Sequence, residues 1–157
     1  MVNIVLTRID DRLIHGQVMT AWLHYTQGNK IVIVDDGVAG DTFLKSILQV
    51  AVPPGVKLDV FDIESGAKFL MGEDNGDRII LLVKTPDTVY RLIQNGVHLK
   101  ELIIGGMGAN VKRKKLYKNI SASDEEKDIL KQVIQKGVDV RIQIIPEDNA
   151  VKVEKFL

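Results

Sequence analysis

The 157-residue sequence predicts an α/β fold in which helices cover both faces of a mostly parallel central sheet. Three observations lead to this fold class. Short apolar runs rich in β-branched residues recur along the chain, segments with helical spacing separate them, and capping residues stand at the junctions. The alternation repeats about six times without an internal linker, so residues 1–157 are expected to form a single domain.

Most of the predicted strands are apolar on successive residues, a pattern typical of strands that are buried on both faces. In chain order they occupy residues 4–6, 31–34, 56–61, 79–83, 102–104 and 138–145. A last apolar alternation, at Val151, Val153 and Phe156, predicts an extra edge strand at the C-terminus.

The predicted helices lie between these strands and repeat apolar residues at i, i+3 and i+4. They cover residues 18–25, 43–51, 63–70, 89–93 and 129–134. Ser123 and Glu126 have the spacing of a capping box before the last of these helices. Gly96 and Gly137 stand where helix ends favour a left-handed backbone.

The composition excludes several classes of protein. Lys plus Arg number 21 and Asp plus Glu number 21, a balance that argues against a bulk electrostatic grip on nucleic acid or anionic membrane. The absence of cysteine removes disulfides, thiolate nucleophiles and cysteine metal sites. Because the sequence shows neither a signal-peptide pattern nor a long apolar run, we expect a soluble cytoplasmic protein.

The functional crevice of an open parallel sheet lies beyond the carboxyl ends of its strands. The residues that follow the predicted strands are Thr7–Gly16, Asp35–Asp36, Asp62, Lys84–Pro86 and Gly105–Asn110. Only the first segment, which begins TRIDDRLIHG, combines a titratable group with several charges. The sequence therefore places the candidate site there.

His15 is the candidate phosphoryl acceptor of this segment. A neutral imidazole is a competent nucleophile near neutral pH, and the free N–H groups of a helix start favour an anion. Arg12 can offer phosphate oxygens a planar guanidinium, while Gly16 leaves room for a large group. These features favour a histidine that accepts a phosphoryl group.

Two interpretations of the other charges stay open. Arg8 could hold phosphate as Arg12 does, or it could pair with Asp10 or Asp11. One aspartate could fix the tautomer of His15 by accepting its second N–H. The competing interpretation is a charged turn in which these arginines and aspartates only pair with one another.

The remaining crevice residues carry weaker signals. Asp35–Asp36 are expected to pair with the arginines of the opening segment rather than bind Mg²⁺, since further oxygen ligands have no obvious origin. Lys84–Thr85 are assigned to the same crevice. Gly105–Gly106, within GGMGAN, make a poor nucleotide motif and are instead expected to let the backbone approach the crevice.

Other conspicuous residues favour structural roles. His24 lies within the first predicted helix and His98 in a turn, so both are expected at the surface or at a cap. No pair of histidines has ligand spacing, so no metal site is predicted. Trp22 is expected in the core or in an interface. The basic run Lys112–Lys118 predicts a solvated loop or helix turn, with a partner-docking patch as the alternative.

Residues 8–18, RIDDRLIHGQV, resemble the signature of IIB subunits of the bacterial phosphoenolpyruvate-dependent sugar phosphotransferase system, in its mannose/fructose/sorbose family. The resemblance extends over nearly the whole chain and includes Ile33–Asp36 and Gly105–Met107. The sequence departs from the family pattern at Ile103–Ile104 and in the segment 108–119. These departures concern the contacts of residues 105–118 and the sugar branch rather than the phosphoacceptor.

The resemblance implies a role for each residue of the opening segment. His15 would accept a phosphoryl group from a phosphohistidine on IIA and pass it to the sugar imported by the IIC/IID membrane complex. Arg12 would stabilise the phosphoryl group, Asp10 would orient the histidine, and Arg8 would support the loop. The backbone amides of Gly16–Gln17 would hold phosphoryl oxygens, and no metal or organic cofactor would take part.

The same resemblance implies partners and a location. The partners would be IIA, the IIC/IID permease and a sugar of the mannose, fructose, sorbose or amino-sugar class. The protein would be cytoplasmic and peripherally associated with the permease; the particular sugar and the choice between monomer and homodimer stay open. Two alternatives are a non-catalytic α/β regulatory or binding module and a Mg²⁺-dependent phosphohydrolase that uses Asp10, Asp35 and Asp36.

Overall fold

The computed structural model describes residues 1–157 and contains nine strands and six α-helices. The strands are β1 (Asn3–Asp10), β2 (Lys30–Val34), β3 (Lys57–Phe61), β4 (Arg78–Val83), β5 (Glu101–Gly106), β6 (Lys114–Tyr117), β7 (Ile120–Ala122), β8 (Asp139–Ile142) and β9 (Val151–Lys152). The helices are α1 (Gly16–Thr26), α2 (Asp36–Ala39), α3 (Thr42–Ala51), α4 (Ile63–Met71), α5 (Pro86–Gln94) and α6 (Asp124–Gln135), and a short 3₁₀ helix follows at Val153–Phe156.

Seven strands form the central sheet in the order β3-β2-β4-β1-β5-β8-β9. Every neighbouring pair is parallel except β8 and β9, so the predicted mostly parallel sheet is confirmed. The predicted C-terminal edge strand is present as β9, although it is only two residues long and leads into the 3₁₀ helix. The sheet places β1 in a central position, between β4 and β5.

Helices cover both faces of the sheet, as predicted. Successive side chains of a strand point to opposite faces, so apolar runs such as those of β2 and β4 supply both cores. On one face, Ile31 and Ile80 belong to a cluster with α1, α2 and α3. On the other, Val32 and Leu81 belong to a cluster with α4, α5 and α6.

The predicted helix boundaries of α5 and α6 have the expected chemistry. The side chain of Ser123 accepts a hydrogen bond from the backbone N–H of Glu126, and Glu126 accepts one from the N–H of Ser123, which confirms the capping box. Gly96 and Gly137 have φ values of 101° and 92°, the left-handed conformation that glycine adopts at low cost.

Three predicted strands end at other residues. β5 continues to Gly106, so the prediction that Gly105 and Gly106 follow this strand was wrong; both glycines lie in β5, and Gly106 pairs with Asp10 of β1. β1 continues to Asp10, so the prediction of a loop that starts at Thr7 was wrong. The reason is that this strand has neighbours on both sides: Arg8 lies opposite Leu82 of β4 and Ile103 of β5. β8 stops at Ile142 rather than residue 145, since the next two carbonyls accept hydrogen bonds from side chains instead of from a strand.

Strands β6 and β7 form a separate antiparallel hairpin that was not predicted. The expectation of a loop or helix turn at Lys112–Lys118 was therefore wrong for the residues of β6. Tyr117 explains the difference, because its ring packs on Phe156 of the 3₁₀ helix with 4.8 Å between ring centres. Lys114 and Lys115, in contrast, remain exposed to solvent.

No helix has both the length and the apolar character required to cross a bilayer.

Candidate functional site

The carboxyl end of β1 is flanked by the carboxyl ends of its two neighbours. Ile9 lies beside Val83 of β4, and Asp10 lies beside Gly106 of β5. Lys84–Thr85 therefore follow β4 on one side of β1, and Lys84 makes no ion pair. The predicted crevice residues of β4 and β5 thus border β1 directly.

Residues 11–15 connect β1 to α1, and two of their side chains are buried in the core. Leu13 and Ile14 are buried in the same apolar cluster as Met19 and Trp22 of α1. The N–H of Leu13 donates to the carbonyl of Asp10 (2.9 Å), and Leu13 has a φ of 58°, which is uncommon for a residue with a side chain. Burial of the Leu13 and Ile14 side chains offsets this strain and stabilises one conformation of the loop.

His15 is the N-cap residue of α1 and directly precedes its first residue, Gly16. Its backbone is extended (φ −144°, ψ 117°), and its side chain does not cap the helix. The first amides of the helix, at Gly16–Gln17, have no intrahelical acceptor, and the first turn contains no acidic residue. An anion attached to His15 would therefore lie near the positive end of the helix dipole.

The imidazole of His15 is partly covered. Its side chain is 23% exposed, and Nδ1 lies 3.5 Å from Oδ2 of Asp10. Neither ring nitrogen has exposed surface, and neither forms a hydrogen bond with another protein atom. An unpaired imidazole nitrogen keeps its lone pair free for nucleophilic attack once a donor can reach it.

Asp10 joins the charged residues of the segment. Its side chain is fully buried. Oδ1 accepts the backbone N–H of Arg12 (3.0 Å) and lies 3.5 Å from Nε of the same residue, while Oδ2 lies 3.5 Å from Arg8 Nη2. One carboxylate therefore contacts two arginines and the histidine.

Arg8 is fully buried, so it has no surface to offer a phosphoryl group. Its Nη1 donates to the carbonyl of Gln143 (3.0 Å), and its guanidinium lies 5.4 Å from the centre of the Trp22 ring. Burial lowers the pKa of Arg8, whereas the charge of Asp10 raises it. Of the two interpretations of Arg8, the structure favours pairing with Asp10.

Arg12 has the opposite environment. Its side chain is 56% exposed, and Asp10 is its only ion-pair partner. Because most of its N–H donors are free, Arg12 is the arginine of this segment that can bind an incoming anion.

Gly105 and Gly106 are required by the close approach of β5 to these buried charges. A Cβ atom at Gly105 would overlap the guanidinium of Arg8, and one at Gly106 would overlap the carboxylate of Asp10. The expectation that these glycines allow a close backbone approach agrees with this geometry. They make room for side chains of β1.

The predicted pairing of Asp35–Asp36 with the opening segment was wrong. Asp35 accepts the N–H of Val38 (2.9 Å) and caps α2. Asp36 accepts the N–H of Ile63 (2.9 Å) and lies 3.7 Å from Arg91. The physical reason is the strand order: β4 separates β2 from β1, which places their ends about 10 Å apart.

Sequence reasoning missed a second charged cluster, in which Arg113 and Glu126 join Asp11 of the loop that carries His15. Arg113 Nη1 lies 3.3 Å from Oδ2 of Asp11, and Nε and Nη2 donate to Glu126 at 2.8 and 2.9 Å. The hydrogen bonds to Glu126 raise the pKa of Arg113. The capping-box spacing identified Glu126 as a cap, but nothing local indicated that it also binds an arginine.

The other residues singled out have structural positions. His24 and His98 are exposed, and Trp22 is a core residue that donates from Nε1 to the carbonyl of Ile144 (2.9 Å). No group of three or more His, Cys, Asp or Glu side chains is placed to hold a metal ion. Asp62 caps α4 through the N–H of Ser65 (2.7 Å).

Comparison with known proteins gives the same family from sequence and from structure. Residues 4–157 match the family model described as "PTS system sorbose subfamily IIB component". The chain is 34% identical over 151 residues to the mannose-specific EIIAB component of Escherichia coli, covering 94% of this chain but only 46% of that protein. It is also 32% identical to the fructose-specific EIIB component of Bacillus subtilis, over 94% of this chain and 91% of that one.

A solved structure gives the same result. The IIBSor domain of the sorbose permease from Klebsiella pneumoniae superposes with a TM-score of 0.92 at 29% identity, covering 98% of this chain and 94% of that one. The likeness therefore extends over nearly the whole chain.

Proposed function

Because the chain belongs to the sorbose subfamily of IIB components of the sugar phosphotransferase system, we propose that it is a phosphocarrier that works through His15. In this proposal His15 takes a phosphoryl group from a phosphohistidine of a IIA protein or domain and gives it to a sugar. The acceptor would be a sugar of the mannose, fructose, sorbose or amino-sugar class, held by a IIC/IID permease.

The observation that carries this proposal is the position of His15 at the N-cap of α1, with two ring nitrogens that form no hydrogen bond. Asp10 is buried beside the ring, and the exposed Arg12 follows it in the loop. A histidine that only stabilised the fold would be expected to use its nitrogens in hydrogen bonds, since buried polar atoms are normally paired.

The transfer would proceed by in-line displacement at phosphorus. A ring nitrogen of His15 forms the new N–P bond while the N–P bond of the donor breaks, and the bonding electron pair stays on the donor imidazole. In the second step the oxygen of a sugar hydroxyl attacks phosphorus, and the hydroxyl proton leaves to a base or to solvent on the acceptor side. The His15–phosphorus electron pair then returns to the imidazole.

The surrounding residues would stabilise the charge that spreads over the phosphoryl oxygens. Arg12 offers free guanidinium donors, and the amides of Gly16–Gln17 at the N-terminus of α1 would add further donors. Asp10 would orient the ring from within the protein. Because neither ring nitrogen is exposed, we infer that the imidazole turns or the loop shifts when a donor docks.

The remaining parts of the proposal concern the whole chain. Residues 1–157 would form one IIB domain, located in the cytoplasm and bound peripherally to its permease. The exposed Arg12, Lys114 and Lys115 would complement an acidic face of IIA. The transfer step would use no metal or organic cofactor.

A labelling experiment tests the proposal. The purified protein is incubated with phosphoenolpyruvate, the general phosphotransferase proteins and a IIA component, and its phosphate is tested for acid lability and base stability. We expect phosphohistidine on the wild type and on His24→Ala, and none on His15→Ala. Labelling that survives in His15→Ala would contradict the assignment, and a wild type that never takes up phosphate would favour a non-catalytic binding module.

A further inference from the structure

Arg113 is almost buried although it lies in the most basic stretch of the chain. Its side chain is 8% exposed, in contrast to the exposed Lys114 and Lys115 that follow it. Its own backbone is fixed as well, since the N–H groups of Lys112 and Arg113 both donate to Oδ1 of Asn110 at 2.9 Å. These bonds fix the backbone from which the Arg113 side chain extends.

One side of the guanidinium faces the loop that carries His15. Nη1 donates to the carbonyl of Gly108 (3.0 Å) and lies 3.3 Å from Oδ2 of Asp11. The same Asp11 oxygen accepts the N–H of Gly108 (2.8 Å), and the N–H of Asp11 donates to the carbonyl of Gly106 (3.0 Å). The first residue of the loop is thus tied to the segment after β5 by its backbone and by its side chain.

The other side of the guanidinium is attached to α6. Nε and Nη2 donate to the two oxygens of Glu126 in a bidentate pair. Glu126 is itself fixed by the capping box with Ser123, and α6 packs on the sheet through Leu130 and Val133. This side of the contact is therefore rigid.

We propose that Arg113 is a positioning residue for phosphoryl transfer, one that fixes the His15 loop to α6 through Asp11; this inference rests on the proposed function. Asp11 lies between Asp10 and Arg12 in the chain, so a displacement of Asp11 moves both. Misplacement of reacting groups by about 1 Å can slow an enzyme roughly 100-fold. Arg113 would act at a distance from the phosphoryl group, through the loop that it holds.

The planar guanidinium is essential to this role. Lysine carries a single point charge and cannot bind both oxygens of Glu126 while it contacts Asp11 and Gly108. We therefore expect Arg113→Lys to retain part of the effect and Arg113→Met to retain none. Arg141 provides a matched control, because it forms a two-contact pair with Asp139 (2.9 Å each) but is 43% exposed and lies on β8.

The test measures single-turnover transfer from phosphorylated IIA as a function of IIA concentration. For Arg113→Met we expect the rate constant at saturation to fall by about 10-fold to 100-fold, with a half-saturating concentration close to that of the wild type. Arg113→Lys should give an intermediate rate, and Arg141→Met should match the wild type. Asp11→Asn should lower the same rate constant, and combining it with Arg113→Met should add little.

A second readout separates positioning from simple loss of stability. Amide hydrogen exchange of residues 12–16 should become faster in Arg113→Met and in Asp11→Asn, but not in Arg141→Met. If wild-type His15 is phosphorylated while Arg113→Met, Arg113→Lys and Arg141→Met all transfer at the wild-type rate, the positioning role is overturned and the proposed function stands. If the wild type itself takes up no phosphate, the proposed function fails, and unchanged loop exchange in the variants would overturn the positioning role as well.

Discussion

Asp10 is a buried carboxylate that contacts two arginines with different roles. It lies within 3.5 Å of side-chain nitrogens from Arg8, Arg12 and His15, and it has no exposed surface. Arg8 balances its charge inside the protein, whereas Arg12 reaches solvent. The same sequence motif therefore contains one arginine that stabilises the fold and one that is available to a ligand.

This division predicts different consequences for stability. Arg8→Met leaves Asp10 without its buried cation, and breaking a buried ion pair typically costs about 3–5 kcal/mol. Arg12→Met removes an exposed pair and should cost about 1 kcal/mol or less. Urea unfolding followed by the fluorescence of Trp22, the only tryptophan, measures both changes. Equal losses in the two variants would contradict the assignment.

The exposed position of Arg12 also predicts a large effect of this residue on the rate of phosphoryl transfer. Arg12→Met should slow the single-turnover rate by about 100-fold or more, the usual effect of removing a preorganised donor from a transition state. The fold should be retained, as judged by a circular dichroism spectrum like that of the wild type. A wild-type transfer rate in this variant would exclude Arg12 from charge stabilisation.

At the scale of elements, α6 contributes to the site although it supplies none of the candidate catalytic residues. Its capping residue Glu126 also binds Arg113, so the start of the helix and the loop after β1 share one network. Burial raises the pKa of Glu126, but the hydrogen bonds from Arg113 and Ser123 outweigh burial and leave the pKa below its ordinary value of 4.5. The charged form of Glu126 is thus favoured by folding.

This shift predicts a pH dependence of stability. A carboxylate with a lowered pKa in the folded state contributes fully above its unfolded value, and that contribution is lost as the pH falls through the folded value. The free energy of unfolding should therefore decrease between about pH 5 and about pH 3, and less steeply in Glu126→Gln than in the wild type. Asp62 and Asp77, whose pKa values are also lowered, contribute equally to both curves. Identical pH profiles would show that Glu126 gains nothing from this network.

The contrast between α6 and the hairpin shows which elements local patterns can predict. Strands and helices with a regular apolar period were found at nearly their observed positions, and the capping box gave the start of α6. The hairpin and the four-residue α2 were missed because neither is long enough to show a period. The end of β1 was missed because Arg8 and Asp10 look like loop residues until β5 is known to cover them.

The candidate site divides in the same way. The segment that contains His15 could be predicted because its unusual charge is local to the sequence. The contact between Asp11 and Arg113 joins residues 102 positions apart, and that between Arg8 and Gln143 joins residues 135 apart. Such contacts depend on the order of strands in the sheet, which apolar periodicity does not determine.

At the scale of the whole molecule, the central position of β1 predicts the order of local opening. Arg8 and Ile9 are paired with both β4 and β5, and Asp10 is paired with β5. In contrast, β9 has only two residues and lies at the edge of the sheet. Native-state hydrogen exchange should therefore be slowest for amides in β1, β4 and β5 and fastest for those in β9. Exchange of the β1 amides as fast as those of β9 would contradict this view of the fold.

The burial of Arg8 and Asp10 in the middle strand also affects what happens to damaged copies of the protein. Loss of either residue disrupts the sheet interior, so such a chain is expected to be degraded before it accumulates. A chain substituted only at His15 or Arg12 would keep its fold and could still bind a partner protein without transferring a phosphoryl group. Folded variants that bind a partner without transferring phosphate should therefore arise from substitutions at His15 or Arg12, and seldom from substitutions at Arg8 or Asp10.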